Sequence, residues 1–301
     1  EGLRMKLVFF RGKVPNFGDE LNLHVWPALL PNGFLDEDES ELFVGIGSII
    51  GTQLDPTARK FVMGSGYAGY MGLPDVHDGT WDIRFVRGPQ TAKKLAISPD
   101  LAICDSAVLL RAMDLPAPAT NVGVAFMPHY ESLERGNWAE ACRLAGITLI
   151  DATEPVDKVL GQLRGAKLLI TEAMHGAIVA DALRTPWIGA RPIYGGHHMK
   201  WLDWAGALDI ELRLNPLKPT SLLEYYIGRT GRGSGHGKVG RLSRSALAAI
   251  PNTMLTHSAA RHLQSMATLE PQLSPDSKIA EATERAEAAV ARFVQSRVAV
   301  S

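Results

Sequence analysis

Residues 168–183 read LLITEAMHGAIVADAL. An apolar run, Leu168–Ile170, passes through Thr171-Glu172-Ala173 into a second apolar run of helical length, Met174–Leu183. A strand that leads straight into a helix is half of a βα unit, and the pattern repeats outward from this point. Upstream lie Asn121–Phe126, a helical pattern from about Leu133 to Ala145, Thr148–Ile150 and Val156–Gly165; downstream the next apolar run is Ile188–Ile193. Further toward the start, apolar runs at Leu7–Phe10, Leu42–Ile46, Phe61–Met63 and Ile83–Val86 are separated by segments such as Leu21–Leu30 and Gln90–Leu95. Such alternation predicts α/β architecture with parallel sheets.

Between the two series, Asp114-Leu115-Pro116-Ala117-Pro118-Ala119 has no periodicity and reads as a linker. The expected division is a Rossmann-like, doubly wound domain over 5–113, a second over 120–216, and a C-terminal loop and helices over 217–301 packing on them. Two such domains facing a cleft would present strand-end loops to it, where ligands of open α/β sheets bind. Gly228–Gly240, rich in glycine and basic residues, reads as a surface loop before helical patterns at Ser243–Ala249 and Leu255–Leu269. In Ser277–Val298, Ile279, Ala282, Ala286, Ala289, Val290, Phe293 and Val294 recur at helical spacing, which describes a packing helix with Asp276 placed to cap it.

With 301 residues, 46% of them hydrophobic, the chain can bury a large core. Lys and Arg total 31 against 32 Asp and Glu, a formal charge of -1, so no global field favours nucleic acid and any anion site must be local. Two cysteines, Cys104 and Cys142, are too few for a disulfide framework and fit a reduced, cytoplasmic setting. No apolar stretch is long enough to span a membrane, and the residues before Met5, which are set aside from the fold, lack the apolar core of a signal peptide.

Several motifs fail on inspection. Gly64-x-Gly66-x-x-Gly69 follows a strand, but Tyr70-Met71-Gly72-Leu73-Pro74 cannot open a helix, which disfavours a dinucleotide site and leaves a loop of close backbone approach. Around Lys238 a phosphate loop is excluded because Val239 stands where Ser or Thr is needed. His197 and His198 are adjacent and cannot easily share a metal, and Cys104 has no neighbouring His to activate it, so neither a metal site nor a thiol nucleophile is expected.

Four places at strand ends carry chemistry. Asn16-Phe17-Gly18-Asp19-Glu20-Leu21-Asn22 opens the first helix; Asp19 suits a cap, and the concentration of Asn16, Asp19, Glu20 and Asn22 in one turn, with Gly18 allowing close approach, also suits the binding of hydroxyls. Val86-Arg87-Gly88-Pro89 places Arg87 beside the free N–H groups of a helix start, as a local anion trap or as a solvated arginine. His175 sits near a helix N-terminus with Thr171 and Glu172 close by, as a structural histidine or as one that meets an oxyanion. In Tyr194-Gly195-Gly196-His197-His198-Met199-Lys200, Lys200 is a solvated lysine or a second positive charge.

Asn16–Asn22, Gly45-Ile46-Gly47-Ser48, Val86-Arg87-Gly88-Pro89 and Thr171-Glu172-Ala173-Met174-His175-Gly176-Ala177 together resemble the polysaccharide pyruvyltransferase family, above all the bacterial branch that adds ketal pyruvate to succinoglycan-like exopolysaccharides. The resemblance runs from about Lys6 to Asp203. It implies a two-domain fold similar to that of GT-B glycosyltransferases, and no cofactor but phosphoenolpyruvate as co-substrate. It further implies Arg87, His175 and Lys200 as catalytic contacts, and Asn16, Gly18, Asp19, Glu20, Gly47, Ser48, Glu172 and Gly176 at the substrates. Cys104-Asp105-Ser106-Ala107 departs from the family's Asp-Pro-Ala and leaves the role of Asp105 open. The implied partner is a lipid-linked oligosaccharide or polysaccharide acceptor handled in the cytoplasm, with any inner-membrane contact a peripheral one. A GT-B-type glycosyltransferase using a nucleotide sugar and a non-catalytic sugar-binding subunit of polysaccharide assembly are the other readings of the same cleft.

Overall fold

Every apolar run that reads as a strand becomes one, and all strand pairs within the two sheets are parallel. The structure is a computed structural model, and it describes residues 5–195, 198–231 and 238–299. His197 and the centre of the glycine-rich loop lie outside the described residues, as do residues 1–4 set aside above. Contacts divide the chain into two compact units, Glu1–Leu115 with Met199–Glu211 and Ser274–Ser301, and Pro116–His198 with Leu212–Leu273. The crossing at Leu115 and Pro116 falls inside the proline-punctuated stretch. Each unit thus draws on more than one segment of chain, where a consecutive reading would keep 217–301 together.

The first unit is built on β1 (Lys6–Val8), β2 (Glu41–Val44), β3 (Arg59–Met63) and β4 (Trp81–Phe85), in the order β1-β2-β3-β4 without reversal. Side chains alternate across a strand, so the faces of this sheet can be read from register. Phe43 and Phe61 are paired neighbours on one face. Their rings pack on Phe293 of α11 (Asp276–Val298), with centroids 6.0 and 5.1 Å away, and Phe43 also meets Trp26 of α1 (Phe17–Leu29) at 4.7 Å. Leu42, Val44 and Val62 point the other way, into a cluster with Ala92 of α2 (Pro89–Lys94) and Leu95 just beyond it. Phe293 explains why the last helix belongs to the first unit: its aromatic partners are there. Asp276 is the first residue of α11 rather than its cap, which is Pro275.

The second unit contains β5 (Gly123–Met127), β6 (Thr148–Leu149), β7 (Ala166–Thr171), β8 (Trp187–Ala190) and β9 (Leu214–Asn215), ordered β6-β5-β7-β8-β9. Here the order does reverse: the chain leaves β5 toward β6, then returns to the opposite side of β5 to form β7. The opening motif folds as read, β7 running into α6 (Met174–Ala182). The expected helix over 133–145 is instead two, α3 (Tyr130–Arg135) and α4 (Trp138–Ala145). A Cβ at Gly136 would overlap Thr220 and Glu224, and the Asn137 amide donates to Thr220 Oγ1 at 2.7 Å, so tertiary contacts break the helix at this pair. Helix α5 (Val156–Gly165) packs Gly165 directly on Ala119. The basic segment is flanked by helices, α8 (Leu222–Thr230) ending at Gly231 with φ +63 and α9 (Lys238–Ser243). A single helix, α10 (Ala249–Met266), then places Ala259, Leu263 and Met266 in the core beside Trp138, Phe126 and Ile170.

Phe293→Ala removes the ring that α11 inserts among Phe34, Phe43 and Phe61. It is expected to destabilise the first unit by about 3–5 kcal/mol, read as a lower denaturant midpoint of the first unfolding transition.

Candidate functional site

Arg87 follows β4 and has no solvent exposure, so the solvated reading falls. Burying a guanidinium requires a counter-charge and hydrogen bonds. Asp203 supplies both from α7 (His198–Ala207), accepting from Arg87 Nε at 3.1 Å while itself 2% exposed. Arg87 Nη1 donates to Ser48 Oγ at 2.7 Å, and Nη2 is buried without a hydrogen-bond partner. A Cβ at Gly66 would overlap the guanidinium, so the loop after β3 lies flat on it. The loops after β2, β3 and β4 therefore converge on one charge, tied together by Gly66 N to Gly47 O at 2.9 Å and Ser65 Oγ to Gly47 O at 3.0 Å. Gly64, with φ +81, and Gly66 thus serve the close approach that their failed dinucleotide spacing left open.

The expected anion at the start of α2 is already present as protein. Asp203 accepts from Thr91 N at 2.9 Å and Thr91 Oγ1 at 2.6 Å, so the first turn of α2 is not free for a ligand. A Cβ at Gly88 would strike the Asp203 backbone, which accounts for Gly88 in the motif: it lets α7 close on α2. Lys200 lies one helical turn before Asp203 on α7, half-buried, on the side of that helix that Asp203 occupies.

The turn after β1 divides its polar residues between two tasks. Asn22 is fully buried and spends its amide on structure, donating to Ile46 O at 2.9 Å and accepting from Ile46 N at 2.8 Å and Trp26 Nε1 at 2.9 Å. A Cβ at Gly45 would overlap Asn22 and Trp26. Asn16 is the residue before α1 and donates its side chain to Asp19 at 2.7 Å rather than capping. Asp19 and Glu20 stay half-buried in the first turn, Asp19 against Gly47, whose φ is +138; Gly18 is buried between them and Phe17.

In the second unit His175 stands at the reversal of strand order. Ligands of open α/β sheets bind outside the carboxyl ends of strands at such a point, here the ends of β5 and β7. The two ends are joined by Glu172 N to Met127 O at 2.9 Å, and His175, half-buried, is the second residue of α6. Gly176 next to it is buried because a Cβ would overlap Thr171 and Met127, so its task is helix-to-strand packing. Glu172 is also spent on protein: it accepts from His129 N and Ile193 N, both at 2.9 Å, and from Ser132 Oγ at 3.1 Å. It holds three loops around the strand ends. Asp105 accepts from Ala107 N at 3.0 Å and caps a 3-10 turn, and Ser106 donates to Met63 O.

Residues 58–191 match the family described as polysaccharide pyruvyl transferase. Succinoglycan biosynthesis protein ExoV of Rhizobium meliloti (strain 1021) is 35% identical to this chain over 311 positions, which cover 93% of this chain and 96% of the relative. The chain belongs to the polysaccharide pyruvyl transferase family. No solved structure matches it. The part that carries the family match contains Arg87 and His175; the Asn16–Asn22 turn, Gly47, Ser48 and Lys200 lie outside it.

For a pyruvyl transferase the sequence left two features unread. Asp203 is 116 positions from Arg87, and only folding makes it the counter-charge. His129 and Tyr130, with rings 4.7 Å apart, follow β5 at the reversal point, where the apolar run before them was the available signal. Deeper in this unit, Glu224 accepts from Trp138 Nε1 at 2.6 Å and from Thr220 N and Oγ1, each at 2.7 Å. Loss of hydration, reinforced by the charge of Glu172, pushes its pKa up from 4.5 to about 7, and burial pushes Glu172 up too. The folded state therefore holds a proton that the unfolded state releases, and stability falls as pH rises from about 4.5 to about 7. Glu224→Gln is expected to flatten that slope in thermal melts across this range, though it costs stability at every pH by placing an amide N–H against a donor.

Proposed function

We propose that this protein transfers pyruvate from phosphoenolpyruvate to two hydroxyls of a sugar in an exopolysaccharide repeat unit, forming a ketal and releasing phosphate. The observation that carries the reading is Arg87, a guanidinium buried at three strand ends, neutralised by Asp203 and still holding one buried nitrogen, Nη2, without a hydrogen-bond acceptor. An unsatisfied charged donor is costly, and a carboxylate or phosphate oxygen satisfies it. Family membership and the relative in succinoglycan biosynthesis support the transferred group and the acceptor class.

In this reading Arg87 and Lys200 hold the donor's negative charges. Charge-assisted bonds contribute about 1.5–3 kcal/mol each, so two of them suit a donor bound in the micromolar to millimolar range. Protonation of the donor's methylene carbon creates an oxocarbenium-like centre, one sugar hydroxyl attacks it, phosphate departs, and the second hydroxyl closes the ketal. The two hydroxyl protons balance the new methyl hydrogen and the proton carried off by phosphate. His175 moves these protons, a role worth roughly 10²–10⁴-fold in rate. Asp19 or Glu20 orients the acceptor hydroxyl. Glu172 and Gly176 act as positioning residues, since their polar and steric capacity is spent on the loops beside His175.

His175→Ala is expected to abolish phosphate release while phosphoenolpyruvate still binds in calorimetry, whereas Arg87→Lys should weaken donor binding, because an ammonium cannot keep Asp203 and Ser48 and meet a ligand as well. Retained turnover in His175→Ala, or binding of a nucleotide sugar in place of phosphoenolpyruvate, would overturn the assignment. Because two cationic side chains neutralise the phosphate in this scheme, EDTA is expected to leave turnover unchanged; a loss that Mg²⁺ restores refutes that part.

A further inference from the structure

The chain is near electroneutral, yet from Tyr225 to Leu269 it contains no Asp or Glu. Within that stretch the second unit exposes apolar side chains that its own core does not use. Leu242 is 60% exposed, Leu247 84%, Ile250 75% and Met254 68%. Ile250 and Met254 lie four apart on α10 and form one stripe, which His257 and Arg261 continue, while Leu247 precedes them in the 3-10 turn Ala246–Ala248. The opposite side of α10 supplies Ala259, Ala260, Leu263 and Met266 to the core, so the stripe is the outer face of a helix already anchored by its inner one. Lys238, Arg241 and Arg244 are exposed on α9 and the turn that follows it.

Exposed aliphatic residues in such number mark a surface with an occupant. Charge decides which kind. Other exposed apolar residues, such as Tyr70, Met71 and Leu73, are followed within a few positions by Asp75 and Asp78, whereas this surface has only basic neighbours in sequence. Leu, Ile and Met set among Lys and Arg are the composition of an interfacial membrane contact: the aliphatic groups enter the headgroup boundary and the cations meet anionic lipid. Glu140, the carboxylate whose charge reaches His257 on this side, is already paired with Arg143 at 2.7 Å. No helix among the described residues is long and apolar enough to cross a membrane, so this contact is a surface one. We infer that the face formed by α9 and the start of α10 docks this protein on an anionic phospholipid bilayer. A sugar acceptor carried on a lipid would then be met at the membrane, but the docking itself stands independently of the transfer reaction.

The test is sedimentation of the full chain with vesicles of phosphatidylcholine and with vesicles that also contain phosphatidylglycerol. Binding is expected only to the second kind, and rising salt should weaken it. Ile250→Asp with Met254→Asp, and separately Arg241→Glu with Arg244→Glu, should each weaken it by about tenfold or more. All four side chains are exposed, so the melting temperature should hold, and phosphate release with a soluble acceptor should be unchanged. Absence of binding to either vesicle, or equal binding to both, overturns the inference. So does concentration-dependent dimerisation that Ile250→Asp abolishes, because the face would then be a protein interface. Vesicle binding without any turnover would sink the transfer reaction and leave the docking intact.

Discussion

A guanidinium with no solvent exposure has to be neutralised by the protein itself, and Asp203 does this for Arg87. The same carboxylate takes the N–H and hydroxyl of Thr91, so one side chain joins the end of β4, the start of α2 and the middle of α7. Buried ion pairs contribute little net stability, but removing one partner leaves an uncompensated charge that costs about 3–5 kcal/mol. The arrangement is therefore all or nothing. It draws Met199–Glu211 into the first unit and leaves the Arg87 guanidinium in one orientation, with Ser48 on one nitrogen and Gly66 flat against its plane. A cation held this rigidly loses little entropy when it meets an anion, which is what a binding group for a highly charged small molecule needs.

The second unit solves a related problem with an acid. Glu172 has no cationic partner among its hydrogen bonds; three donors from the loops after β5 and β8 and from α3 surround it instead. Burial raises its pKa against those bonds. Asn22 does for the first unit what Glu172 does for the second: two hydrogen bonds to Ile46 fasten α1 to the loop after β2, and two more, to Asp19 and Trp26, hold its side chain within α1. Both sit inside motifs dense with polar residues, and in both the buried member of the motif sets the loops while Asp19, Glu20 and His175 are only half-buried.

Charge on this molecule is a local matter at both scales. The total of -1 gives no field to steer an anion, so the donor reading rests on one arginine whose surroundings exclude water. The basic, acid-free stretch after Glu224 likewise vanishes in the sum and emerges only once α10 has turned its aliphatic stripe outward.

What the sequence by itself determined is the local grammar: strands that run into helices, parallel pairing, the strand-end positions of Arg87 and His175, and the small residues of Gly64-Ser65-Gly66. Those follow from hydrophobic periodicity and from turn chemistry, which act over a few residues. The break at Gly136 and Asn137, the homing of Phe293 to the first sheet, the reversal of strand order that places His175, and the pairing of Arg87 with Asp203 were decided by tertiary structure alone. The reason is physical. A buried charge or ring is satisfied by whichever partner packing delivers, and that partner stands 116 positions from Arg87 and, for Phe293, at the opposite end of the chain.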